Sequence, residues 1–214
     1  MADITWKDFY DLIRLEANKG STLDELIPLK VFQAVRSLEQ NESFKWNEKL
    51  LQAKIDSTLD NPYLLELPSD FKSPITLNIS TTEFGECMDT LEMQDPEDFA
   101  FGSEGSPAFG YWLQNNRWIW LPKSLADGTS VAFWYNAFTL KSEMAPELTS
   151  PILRYGQEAL LGLTMQSLAA TCREPTWREL YEPLASIGIK TLHVADAELR
   201  RASATGSFGG LRNG

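Results

Sequence analysis

The sequence predicts an α+β fold. N-terminal helices and two long C-terminal helices form a helical bundle, an antiparallel β-meander is inserted between them, and a flexible tail follows. Three observations carry this prediction. Apolar residues recur at helical spacing in the first sixty residues and again after Ser150; they alternate with polar residues in between; and the end of the chain is rich in Gly and Ser. The corresponding segments are 1–62, 63–146, 147–202 and 203–214.

Each element has its own signal. Thr5 is placed to cap a helix carrying Trp6, Phe9, Leu12 and Ile13, ending near Lys19-Gly20. Thr22 and Glu25 have capping-box spacing, and Pro28 suits the first helical position, which starts the second helix after Ile27. Trp46, Leu50, Leu51 and Ile55 read as one face of a third helix over 44–59, stopped before Asn61-Pro62. Ile75, Leu77 and Ile79 then alternate as in a half-buried strand. Tyr111–Gln114 and Arg117–Leu121 flank an Asn115-Asn116 turn, since Asn tolerates positive φ. Asp127-Gly128 turns the chain into Val131, Phe133 and Tyr135. Ser150-Pro151 opens a long helix toward Cys172. The last helix begins near Pro175 and Trp177, resumes with a kink after Pro183, and buries Leu184, Ile187, Leu192, Ala195 and Leu199. From Ser203 to Gly214 the composition is that of a disordered tail.

Composition excludes several functions. Nineteen Lys and Arg against thirty Asp and Glu give a net charge of −11, wrong for gripping DNA or an anionic membrane through a basic surface. No apolar run is long enough to span a bilayer, and Met1–Tyr10 lacks the pattern of a secretory signal. Cys87 and Cys172 stand alone, which fits a reducing compartment. With one histidine, His193, no zinc set and no Ser-His-Asp arrangement is expected; no Walker A or dinucleotide fingerprint is present. The sequence therefore predicts no metal, no cofactor and no catalysis.

Two regions stand out. Between Lys72 and Arg117 there is no basic residue, while Glu83, Glu86, Asp89, Glu92, Asp95, Glu97, Asp98 and Glu104 contribute eight of the negative charges. They read as a solvated segment guarding a sheet edge, as a wall repelling a passing polyanion, or as carboxylates acting on a glycosidic bond. Next to them is an aromatic cluster including Trp112, Trp118, Trp120 and Trp134. In a strand, Trp118 and Trp120 share one face and Ile119 and Leu121 the other, so both faces are apolar. A second apolar face suits a subunit or tail interface, with a glycan platform as the alternative.

The order of pieces carries a resemblance. Leu67-Pro68-Ser69-Asp70-Phe71 leads into the sheet, and Ile119-Trp120-Leu121-Pro122 and Asp127-Gly128 follow. Val131-Ala132-Phe133-Trp134-Tyr135 comes next, then Tyr155-Gly156 and Ala159-Leu160 on a long helix, then Trp177, Tyr181 and Leu184. Over nearly the whole chain this resembles the head-to-tail adaptor (connector) proteins of tailed bacteriophages, particularly the short-tailed ones. The resemblance implies a non-enzymatic structural protein of the virion, made in the host cytoplasm and assembled at the head-tail junction. It implies self-association into a ring of about twelve copies below the portal protein, extending a channel through which DNA passes without sequence-specific binding. The tail would reach the portal through Arg200, Arg201, Phe208, Leu211 and Arg212, and the β-region would meet a tail nozzle or tube component. The alternatives are a cell-wall glycosidase and a carbohydrate-binding tail module.

Overall fold

The computed structural model describes residues 4–80, 89–100 and 110–208. The chain forms two compact units, one from residues 1–46 with 139–214 and one from 47–138. The fold is mixed α+β, with the long helices in the first unit and the sheet in the second.

Helix α1 (Trp6–Ala17) starts as its sequence requires. The Thr5 hydroxyl accepts from the Asp8 N–H, and the Asp8 carboxylate accepts from the Thr5 N–H. Asn18 ends the helix in the left-handed region at φ 47°. Helix α2 (Leu26–Asn41) begins earlier than expected, and Pro28 is its third residue. A proline is tolerated there because first-turn N–H groups have no intrahelical partner. The Thr22 hydroxyl instead donates to the Lys19 carbonyl, so no capping box forms.

The expected third helix does not form. Residues 45–47 make a single 3-10 turn and Glu48–Lys54 is strand β1. Leu51, Ala53 and Ile55 fit a period of two as well as Trp46, Leu50, Leu51 and Ile55 fit a helix. Strand pairing decides the matter, with Leu51 opposite Phe133 and Ala53 opposite Val131. Residues 47–62 thus belong with the sheet.

The sheet unit adds β2 (Leu64–Glu66), β3 (Phe71–Ser80), β4 (Asp89–Met93), the short helix α3 (Pro96–Ala100), β5 (Gly110–Gln114), β6 (Trp118–Trp120) and β7 (Ser130–Ala137). The strand order is β1-β7-β3-β4-β5-β6-β2, and β4 pairs with β5 in parallel. This corrects the antiparallel meander: β7 returns between β1 and β3, a long-range pairing that local turn signals do not encode. The Asn115-Asn116 turn forms as expected, with φ of 54° and 50°. Pro74 is accommodated in β3 because β4 pairs only with Leu77, Asn78 and Ile79. Tyr111 of β5 meets the Phe133 ring of β7 edge-on at 6.0 Å. Three strands apart, these residues would be about 14 Å from each other in a flat sheet, so the sheet curls round its own core. Ile55, Leu77, Leu91, Tyr111, Ile119, Leu121, Val131 and Phe133 fill that core. Asp70 of the Leu67–Phe71 motif is buried, where it accepts from Lys49 Nζ at 2.7 Å and from the Tyr135 hydroxyl at 3.1 Å.

In the helical unit, α4 (Pro151–Cys172) is central and buries Ile152, Leu153, Ala159, Leu160, Thr164, Met165 and Leu168. Gly156 leaves helical geometry and kinks it. Helix α5 (Thr176–Phe208) has 33 residues and runs without a break through Pro183. Pro183 and Glu179 are both exposed, on a side of the helix where solvent can reach the carbonyl that the proline ring leaves unbonded. Helices α4 and α5 approach backbone to backbone. A Cβ on Gly162 would come within 2.5 Å of the Ala185 nitrogen, and one on Gly188 would run into the Ala159 backbone. Helix α5 continues to Phe208, so residues 203–208, expected to be disordered, are helical. Leu211 and Arg212 lie outside the described residues.

Candidate interaction surfaces

Outside its core, the sheet presents a second aromatic surface. Trp112 pairs with Trp120 and Gln114 with Trp118 across the β5–β6 hairpin, so all four side chains share one face. The Trp112 and Trp120 rings stack at 6.3 Å and 17°, and Trp120 Nε1 donates to Gln114 Oε1 at 2.8 Å. Phe99 of α3 packs on Trp112 at 6.5 Å, and the Arg117 guanidinium sits 5.2 Å over the Trp118 ring. All three tryptophans are half-buried. Ile119 and Leu121 are buried on the opposite face, as the alternation predicts. Trp134 is separate. It lies on β7, three strands from β5, opposite Leu50, and is 38% exposed. The four tryptophans are not one platform.

The Leu67–Phe71 motif borders an open cleft of about 650 Å³ within the sheet unit, with Leu51 on one side and Asn116 and Arg117 on the other. Arg117 Nη2 reaches Glu66 Oε1 at 3.4 Å at its exposed edge. Of the acidic residues, Asp89 and Glu92 are on β4, Asp95 precedes α3, and Glu97 and Asp98 are in its first turn; all five are exposed. Glu83, Glu86 and Glu104 lie outside the described residues, as does Cys87.

The residues that the resemblance assigns to the portal contact are only partly placed. Arg200 Nε donates to Asp196 Oδ2 at 2.7 Å and its Nη2 to the Ser43 carbonyl at 2.6 Å. Arg200 therefore clasps the chain preceding β1, with Asp196 also accepting from the Lys45 N–H. Arg201 is exposed on α5, and Phe208 is its last residue. By the pairing of Gly162 with Ala185 and Gly188 with Ala159, α4 comes to its start near Ala197 of α5. The last eleven or so residues of α5, about 16 Å, extend beyond α4.

Helix α5 also carries apolar residues outside the core, of which the sequence places Ile187 within it. Leu180, Ile187 and Val194 are 67%, 56% and 59% exposed. Their seven-residue spacing keeps them on one side of the helix, away from the buried Tyr181, Ala185 and Leu192. Ile187 is thus outside the core. This corrects the expectation that Ile187 is buried with Leu184 and Leu192, because apolar residues occupy two sides of α5.

Chemically reactive groups are sparse. No group of three or more His, Cys, Asp or Glu able to hold a metal occurs among the described residues. His193 is exposed, its Nε2 3.7 Å from Glu42 Oε1. Cys172 is half-buried, and burial pushes its thiol above the ordinary range, with Lys19 opposing the effect. No described helix is long and apolar enough to cross a membrane. No family model matches the chain, and no curated protein does.

Proposed function

We propose that the chain is a head-to-tail adaptor of a tailed bacteriophage. In this reading it is a structural protein that assembles with copies of itself into a ring below the portal protein, extends the DNA channel, and receives the tail nozzle or tube. The observation that carries the reading is the second apolar stripe of α5. A 33-residue helix, roughly 50 Å long, already buries one face against its own unit. Leu180, Ile187 and Val194 then line a second side at the spacing used by packed helices. Exposed stripes of this kind mark contact surfaces, and a ring of helices uses two sides of each.

Other features agree. The β5–β6 hairpin offers Trp112, Trp118 and Trp120 to a further partner. The end of α5 extends past α4 toward the Gly-rich terminus, where the resemblance assigns contact with the portal. Exposed acids at Asp89, Glu92, Asp95, Glu97 and Asp98 suit a passage that DNA traverses without sticking. The test is the triple substitution Leu180→Ser, Ile187→Ser and Val194→Ser. Because these side chains are exposed, the variant keeps the wild-type melting temperature within a few degrees. It loses assembly on the portal, read by sedimentation velocity. Rings forming at wild-type concentration with the triple variant would overturn the reading of the stripe.

A further inference from the structure

The strand order of the sheet ends in two edge strands, β1 and β2, each paired on one side only. Because the sheet curls, both edges border the same cleft of about 650 Å³. Leu51 of β1 lines it on one side, and Glu66 and Leu67 at the end of β2 line it on the other. Its floor is apolar, formed by Leu51, Leu67 and Phe71, which all pack on the core of the sheet unit. The cleft is thus a gap in a rolled sheet, at the place of one further strand.

The backbone at this gap faces outward in a regular pattern. The Ile55 N–H donates to the Thr129 carbonyl and the Gly128 N–H to the Ile55 carbonyl, so Ile55 turns both its groups toward the β7 side. Alternation along the antiparallel pair turns Ala53 and Leu51 the same way. It leaves the N–H and C=O groups of Leu50, Gln52 and Lys54 directed away from β7. On β2 the Leu67 N–H donates to the Arg117 carbonyl, so the groups of Glu66 are directed away from β6. None of these outward backbone groups has a hydrogen-bond partner among the described residues.

Outward N–H and C=O groups at strand spacing, beside an apolar floor, match the backbone and the alternate side chains of an extended peptide. We propose that the cleft binds an extended segment of a partner protein, which adds to the outer edge of β1 as a strand and rests its inward apolar side chains on Leu51, Leu67 and Phe71. A second copy does not supply that segment from its described strands, because each is backed by its own sheet and a cleft of this size holds a few residues. The site is separate from the stripe of α5, and the proposal does not need the ring reading.

The probe is a synthetic peptide as long as β1 that alternates valine with threonine. It is titrated up to about 1 mM into the isotope-labelled full chain and followed by amide resonances. Saturable shifts centred on Leu50, Gln52 and Lys54 are expected. The same peptide with N-methylated backbone amides keeps its side chains and loses its donors, and is expected to bind at least about tenfold more weakly. Gln52→Pro removes one outward donor and leaves the β1–β7 ladder intact, a change that edge strands tolerate. That variant is expected to keep its melting temperature and to bind the unmodified peptide at least about tenfold more weakly. Absence of binding overturns the proposal, as does equal binding of the methylated peptide or by the folded Gln52→Pro chain. Shifts centred on Trp112, Trp118 and Trp120 overturn it too. So does self-association of the wild-type chain that Gln52→Pro abolishes, since that gives the edge to a second copy. Each of these outcomes leaves the adaptor reading to its own test.

Discussion

Single residues set the stability of the helical unit. The Tyr181 hydroxyl donates to Glu16 Oε2 at 2.8 Å, and burial together with that carboxylate pushes its pKa up to about 12. A tyrosine raised in the folded state stabilises fully below its unfolded value near 10, and that contribution is lost as pH climbs toward 12. Unfolding free energy is therefore expected to fall by about 2 kcal/mol from this group between those values. Burial also pushes Tyr10 up to about 12, so Tyr181→Phe makes the alkaline decline shallower without abolishing it. At neutral pH the same substitution costs about 1 kcal/mol, read by urea titration. Thr164 gives the opposite sign. It is fully buried on α4 and its hydroxyl has no hydrogen-bond partner among the described residues. Thr164→Val keeps the shape and removes the unpaired group, so it is expected to stabilise by about 1 kcal/mol; a destabilised variant would contradict this account.

At the scale of elements, glycine governs the α4–α5 pair. Gly188 and Gly162 are where side chains are missing because the other backbone passes too close for one. Alanine is the better helix former by about 1 kcal/mol, yet Gly188→Ala is expected to lower stability by about 2 kcal/mol by driving the helices apart. A melting temperature equal to or above wild type would refute the close approach. Elements were legible in the sequence where local chemistry fixes them. The Thr5-Asp8 cap, the Asn115-Asn116 turn and Pro151 at a helix start all do so within a few residues. Elements depart from the sequence expectation where distant partners decide. Residues 48–54 become a strand only because β7, some eighty residues later, pairs with them, as Glu48 opposite Asn136 shows. Gly and Ser lower helix propensity at the end of α5 and predict a tail there, while a long helix already nucleated carries its last turns further, to Phe208. The site was legible in the same uneven way: alternation placed the hairpin tryptophans, but nothing local separated the second stripe of α5 from its buried face.

At the scale of the whole molecule, the helical unit has apolar surface outside its core at Leu180, Ile187 and Val194, and the sheet unit has an aromatic outer face at Trp112, Trp118 and Trp120. The net charge of −11 makes like copies repel one another, so the proposed ring requires local complementarity such as the apolar stripe of α5. The most direct measurement of the proposed adaptor role is the mass of the purified chain by light scattering, alone and mixed with the assembled phage portal that it is proposed to join. The account predicts a multi-subunit complex with the portal that is lost when the chain is truncated after Arg201. A chain that stays monomeric beside an intact portal would contradict it.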